Sequence, residues 1–264
     1  MRKVISKDGT TIAFEQTGSG PTVILVDGAM GYRAHAGGRP LANELSKHFN
    51  VITYDRRGRG ESGDTQPYSV GREIEDIEAL IDQVGEPVYV YGFSSGSVLG
   101  LKAAARLGEK ISKLAVFEPP FGPDDDKSRQ EFGEFAGQMA ELLKSNRRGD
   151  AVAFFLSDMV PADLLEQMRQ SPEWPLMESV APTLAYDNEV MGDGSVPFED
   201  AKAATMPALV LDGGESPEFK REAADALARV MPRAQRKTID GEMTLVTPGV
   251  LAPMLVEFFQ REEK

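Results

Sequence analysis

Val88-Tyr89-Val90-Tyr91-Gly92-Phe93-Ser94-Ser95-Gly96 is the stretch on which the fold turns. Val88–Tyr91 is a short run of β-branched and aromatic residues, a strand pattern. The small residues after Gly96 predict a helix running through Leu107. Between them, glycines stand two residues either side of Ser94. They remove the side chains that would collide in a sharp strand-to-helix turn. Such a turn strains the serine backbone and presents its hydroxyl at the positive end of the following helix. Gly and Ser are common residues, so the pentapeptide gains its weight from the strand before it and the helix after it.

The same alternation extends outward. Residues 3–6 and 11–17 read as a hairpin turned by Asp8-Gly9. Thr22–Val26 is continuously apolar, as a parallel strand covered on both faces tends to be. A helix is expected over 39–48, a strand over Asn50–Tyr54, and a helix over Val70–Val84, where Ile74, Ile77, Leu80, Ile81 and Val84 share one face. Lys113–Glu118 closes the first half as a sixth strand. Residues 119–199 then change character: Met, Phe, Pro and acidic residues dominate, and no strand pattern appears. The stripe Phe132, Phe135, Met139, Leu142 and Leu143 has the spacing of helix packing. Strand and helix resume at 208–211, 217–231, 234–239 and 248–261. The expectation is an α/β fold with a mostly parallel central sheet and helices on both faces. Its core comprises 1–118 and 200–264, and a helical cap, 119–199, is inserted after the sixth strand.

Composition narrows the function. Of 264 residues, 41% are hydrophobic, enough for a core. A net charge of −13 repels nucleic-acid backbones and anionic lipid, so neither is an expected partner. No run approaches the ~18 apolar residues of a membrane span. With no signal-peptide core at the N-terminus, a cytoplasmic protein is expected, as a monomer or homodimer. Cysteine is absent, which excludes disulfides and thiolate chemistry. Two histidines are too few for a convincing zinc or iron site, and no phosphate loop or dinucleotide fingerprint is present. No metal and no cofactor are expected, and the partner is a small molecule.

The chain resembles the α/β-hydrolase superfamily, specifically its cap-bearing bacterial members. Gly92–Gly96 resembles the family's nucleophile elbow, and Tyr54-Asp55-Arg56-Arg57-Gly58-Arg59-Gly60-Glu61-Ser62 its signature loop after the fourth strand. Leu25-Val26-Asp27-Gly28-Ala29 resembles the oxyanion-hole loop, and Thr247-Pro248 through Phe259 the last helix. The resemblance implies Ser94 at the nucleophile position and an oxyanion hole from the N–H groups of Ala29 and Ser95. Because backbone donors build such a hole, it survives side-chain changes around it. Candidate binding residues around that pocket are Gly28, Met30, Tyr32, Phe93, Met243 and Thr244, with Trp174 in the cap either a ligand contact or a buried anchor. Asp27 stands where the family often has histidine, either as a solvent-linked loop residue or as a carboxylate facing the pocket.

The family's base, a histidine after the last strand, is where the pattern fails. That loop reads Ile239-Asp240-Gly241-Glu242-Met243-Thr244, and matching its glycine puts Thr244, or Met243, at the histidine position. No histidine follows residue 48. The acid position is altered too: the best match puts Ser216 there, with Glu215 one residue away and Asp212 at the strand end, while Glu118, ending the sixth strand, stands where some relatives carry the acid. A serine hydroxyl without a positioned base is a weak nucleophile. Losing a triad member costs about 10⁴- to 10⁶-fold, while the hole and binding keep about 10³- to 10⁴-fold over water. Candidate substitutes are Asp27, Asp212, Glu118 and His35; His48, at a helix end, reads as a cap or surface residue.

Several readings stay open. One is an enzyme with a rewired site acting on a small carbonyl compound, including cyclase or lyase chemistry such as relatives in secondary metabolism perform. Others are a slow or inactivated serine ester or lactone hydrolase, a ligand-binding pseudoenzyme, and a histidine replaced by design.

Overall fold

The apolar runs at Thr22–Val26, Val88–Tyr91 and Ala208–Leu211 are strands. The computed structural model describes residues 1–33, 38–241 and 247–262. Strands β1 (Arg2–Ile5) and β2 (Thr11–Gly18) form the expected hairpin, with Gly9 at φ 87 in its turn. They lead into β3 (Thr22–Val26), β4 (Asn50–Tyr54), β5 (Val88–Phe93), β6 (Ile111–Phe117), β7 (Ala208–Gly213) and β8 (Ala234–Ile239). The strands make one 8-stranded sheet in the order β1-β2-β4-β3-β5-β6-β7-β8. β2 runs antiparallel to β1 and to β4, and the remaining pairs are parallel.

Alternate side chains of the buried strands feed two cores, as a pleat with period two requires. Ile24, Val26, Val90, Val116 and Val210 pack toward α2 (Val70–Val84), α3 (Ser95–Leu107) and α10 (Glu218–Val230). Val23, Leu25, Tyr91, Phe117 and Leu209 pack on the opposite face toward α1 (Gly38–Leu45) and α11 (Pro248–Gln260). Phe259 of α11 stacks on Tyr89 at 5.0 Å and meets Phe49 edge-on at 6.0 Å. This is the α/β arrangement expected from the sequence.

Boundaries move by one to three residues, and two of the shifts have a visible cause. α1 ends at Leu45 rather than 48, because the N–H groups of His48 and Phe49 both turn back to the Leu45 carbonyl and carry Phe49 into the core. β6 starts at Ile111 rather than 113, directly after a 3₁₀ turn over Gly108–Lys110, and Ile111 already pairs with Val88.

Between β6 and β7 the chain is helical: α4 (Asp126–Lys144), α5 (Arg148–Leu156), α6 (Ala162–Arg169), α7 (Trp174–Val180), α8 (Leu184–Met191) and α9 (Phe198–Ala203). Met139, Val152, Trp174, Val180 and Leu184 form a third cluster that also takes in Met30 and Tyr32 from the loop after β3. Ala201 of α9 packs instead into the core beside α3, so α9 spans the 199/200 point and sits with the sheet. Among the described residues no helix is long and apolar enough to cross a membrane.

Candidate functional site

β5 runs straight into the elbow, and Ser94 sits at φ 53, ψ −127. That is a costly conformation for a residue with a Cβ, held only because its surroundings fix it. A Cβ on Gly96 would lie 2.2 Å from the Val26 carbonyl oxygen, and one on Gly92 2.4 Å from the Gly96 oxygen. Both glycines are therefore required for backbone contact, as the spacing predicts. The Ser94 carbonyl accepts from the Ser97 N–H at 2.8 Å, inside the first turn of α3. In a trans peptide the N–H points opposite to the carbonyl. The Ser95 N–H therefore faces away from the helix.

The loop after β3 closes over this turn. A Cβ on Gly28 would lie 3.0 Å from the Ser94 Cβ, so the two residues are in contact. Met30 adopts φ 61, and the Gly31 N–H returns to the Gly28 carbonyl at 3.2 Å. That carbonyl also accepts from Arg59 Nη1 at 2.6 Å, while the Asp27 carbonyl accepts from Arg56 Nη1 at 3.3 Å. With the Gly28 oxygen drawn to Arg59, the Ala29 N–H of the same peptide points the other way. Phe93 is half-buried and stacks on Phe117 at 5.9 Å.

Strand register sets out the carboxylates. Phe93 pairs with Phe117, and Phe117 with Leu211. Ser94, Glu118 and Asp212 thus follow one another along the C-terminal edge of adjacent strands, where open α/β sheets bind ligands. Glu118 is fully buried at φ 48 and accepts from the Ser216 hydroxyl and, at 2.8 Å, from Lys220 Nζ. Asp212 is buried and held by both Arg236 terminal nitrogens, at 2.7 and 2.6 Å. A carboxylate held through both oxygens by one guanidinium is oriented by that pair, so Asp212 is anchored to Arg236. Asp27 differs from both. It is half-buried, and no donor among the described residues meets its carboxylate. Burial pushes its pKa up to about 6, against the opposing pull of Arg59 and Arg56.

Other candidates are drawn into packing. Tyr32 is buried in the helical cluster. Arg33 is buried and pairs with Asp55 and Glu15, each at 3.0 Å. Trp174 is buried too, its Nε1 donating to Glu178 at 3.0 Å with the Arg169 guanidinium over the ring. His48 is exposed on its turn. His35, Met243 and Thr244 lie outside the described residues. No group of three or more histidines and carboxylates among the described residues could hold a metal ion.

The sequence did not reveal Asp187. This buried α8 carboxylate accepts from Ser95 Oγ, Arg56 Nη1 and Arg59 Nη2, all at 2.7 Å. Burial alone would raise its pKa, but Arg59, Arg56 and the Ser95 hydroxyl outweigh it and hold the carboxyl below its ordinary value. The only visible clue was the arginine-rich loop Arg56–Arg59, whose buried guanidiniums needed carboxylate partners somewhere.

The sequence profile of the alpha/beta hydrolase family matches residues 23–249. The chain belongs to the alpha/beta hydrolase family. The chain superposes on the crystal structure of an α/β hydrolase from Sphaerobacter thermophilus with a TM-score of 0.86. The two are 49% identical over 98% of this chain and 100% of that one. An uncharacterized hydrolase of Bacillus subtilis is 34% identical over 150 residues, 54% of this chain. That match spans 53% of the relative, about half its length. The enol-lactonase of Burkholderia xenovorans, at 20% identity, covers 98% of this alpha/beta hydrolase and 100% of its own chain with a TM-score of 0.70, a likeness of fold.

Proposed function

We propose that the chain hydrolyses a small ester or lactone at Ser94 without a serine–histidine relay. The observation that carries this reading is the strained Ser94 elbow packed against Gly28, with the peptides of Ala29 and Ser95 turned so that both N–H groups are free of their helix and loop partners. Donors preorganised in this way stabilise a carbonyl oxygen as it becomes negative, worth about 10²- to 10³-fold for each. The helical segment between β6 and β7 acts as the cap over this edge, and the apolar side chains it turns inward select the substrate.

Asp27 supplies the base. It is the one carboxylate of the three at the site with no partner among the described residues, and its pKa near 6 leaves it ionised at neutral pH yet basic enough to take a proton. It also lines a cavity of about 160 Å³ that opens on the side of β2, β4 and α1, with Glu15, Thr17, Arg33, Arg39, Asn43 and Thr53. That volume is polar and has room for several waters. Asp27 takes a proton from water as the water oxygen bonds to the substrate carbonyl carbon, whose oxygen lies in the hole. The tetrahedral intermediate then expels the alkoxide, which recovers the proton from Asp27. Ser94 donates a hydrogen bond to the substrate and does not attack it.

The test is hydrolysis of p-nitrophenyl acetate and of a small lactone by the wild type, Asp27→Asn and Ser94→Ala, with fluorophosphonate labelling read by intact mass. Asp27→Asn is expected to lower kcat by about 10²-fold, the scale of general base catalysis. Ser94→Ala should lower it by about tenfold, a hydrogen bond's worth. Stoichiometric phosphonylation of Ser94 would make the serine the attacking group and overturn this mechanism. Tight ligand binding without any turnover would make the chain a receptor.

A further inference from the structure

We propose that Asp187 is a positioning residue for the oxyanion hole, so that a single carboxylate from the helical segment fixes both donor peptides. The proposal rests on the reading of Ala29 and Ser95 as the hole.

Two chains of bonds leave this carboxylate. In one, Asp187 Oδ1 accepts from the Ser95 hydroxyl at 2.7 Å, so it holds the residue whose N–H is one donor. In the other, Asp187 Oδ2 accepts from Arg59 Nη2 at 2.7 Å, and Arg59 Nη1 reaches the Gly28 carbonyl at 2.6 Å and the Gly31 carbonyl at 3.2 Å. The Gly28 carbonyl belongs to the peptide whose N–H is the Ala29 donor. Arg56 adds a parallel strut, donating from Nη1 to Asp187 Oδ1 at 2.7 Å and to the Asp27 carbonyl at 3.3 Å. The side chains of Asp187, Arg56, Arg59 and Ser95 are buried, where charge-assisted bonds are strong and lapses are costly.

Asp187 is 92 residues from Ser95 and belongs to α8, a helix of the segment between β6 and β7. Around it the same segment is seated by Tyr186, which stacks on Tyr68 at 3.9 Å and donates to Asp64, and by Thr183, which accepts from Arg59 Nε at 3.1 Å. The hole is therefore complete only when this segment is docked. Asparagine is a poor replacement for the carboxylate: its NH2 group would oppose either the Arg59 guanidinium or the Arg56 guanidinium and the Ser95 hydroxyl, and the negative charge is lost.

The experiment compares the full-length wild type with Asp187→Asn, Ser95→Ala, the double variant and Asp76→Asn. Asp76 pairs with Arg57 of the same loop at 2.7 and 2.8 Å and has no bond to the elbow, so its variant controls for loss of a buried ion pair. Two readouts are used: kcat and KM for p-nitrophenyl acetate, and the backbone amide resonances of Ala29 and Ser95 in ¹H–¹⁵N spectra. Asp187→Asn is expected to lower kcat by about 10²-fold with KM changed less than about threefold, the pattern of lost transition-state stabilisation. Ser95→Ala should lower kcat less and add nothing on top of Asp187→Asn, because the two act through one bond. Both amide resonances should move in Asp187→Asn and stay in Asp76→Asn. If Asp187→Asn does not fold, Ser95→Ala alone should still lower kcat with KM nearly unchanged and leave the Ala29 resonance in place, and an unchanged kcat would overturn the proposal.

Equal kcat losses in Asp187→Asn and Asp76→Asn, a change in KM alone, or unmoved amides would overturn the proposal. A wild type with no Ser94-dependent turnover would instead overturn the hydrolase reading, while the amide resonances still decide the role of Asp187.

Discussion

The two halves of the C-terminal sheet edge are built on different principles. On the β3–β5 side the site consists of backbone: strained Ser94, glycines that admit close contact, and peptides aimed by Arg59 and by the first turn of α3. On the β6–β8 side it consists of side chains, and these are sequestered. Glu118 is held by Ser216 and Lys220, and Asp212 by Arg236. Oxygen-stabilising geometry encoded in the backbone withstands substitution, whereas proton transfer depends on single side chains and relocates when one changes. In this chain the relocation we propose is to Asp27, on the backbone-built half.

The sharpest way to break that contrast is to spoil the backbone half. Gly28→Val adds a Cβ within 3.0 Å of the Ser94 Cβ and forces the donor loop outward. Its kcat for an activated ester should fall by about 10³-fold, the scale of losing an oxyanion donor, with the melting temperature little changed. Repairing the side-chain half is the converse. Thr244→His should raise kcat by about 10²-fold and make Ser94 reactive to a fluorophosphonate, both read in one labelling and rate series. No gain would mean that the acid positions, tied up as they are, give a new imidazole no orientation.

Smaller effects sharpen the division between the carboxylates. Asp212→Asn should cost about 2 kcal/mol of stability in denaturant titration, because it removes the charge from a two-bond pair with Arg236, and leave kcat within about threefold. Asp27→Asn should do the opposite. The folded protein holds the Asp27 proton up to about pH 6, higher than an unfolded chain does, so ionising it lowers stability as pH rises from about 4 to about 6. Removing that charge should stabilise the protein at pH 8 by about 1 kcal/mol, after discounting for its partial exposure to solvent. A site residue whose loss stabilises the fold while disabling turnover marks a function–stability conflict.

How much of this was legible beforehand follows the range of each interaction. The strands, the elbow and the loop after β3 are local: apolar continuity in Thr22–Val26 and glycine spacing around Ser94 state them directly. The opening hairpin was legible from Asp8-Gly9 for the same reason. The Asp187 latch was not legible, since it joins residues 92 to 131 positions apart and α8 carries no pattern that distinguishes a buried aspartate from a surface one. The Glu118–Ser216 pair spans 98 positions and was equally hidden, although both residues had been singled out separately. Local sequence names the candidates on this edge; only the folded arrangement says which carboxylates are already spent.

The pH dependence of kcat/KM for p-nitrophenyl acetate, compared between the wild type and Asp27→Asn from pH 4 to 9, tests the central claim most directly. Asp27 must be ionised to accept a proton, so wild-type activity should rise with pH, reach half its plateau near pH 6 and stay flat above. In Asp27→Asn that inflection should vanish and the plateau should drop by about 10²-fold. An unchanged profile and rate in Asp27→Asn would contradict the account.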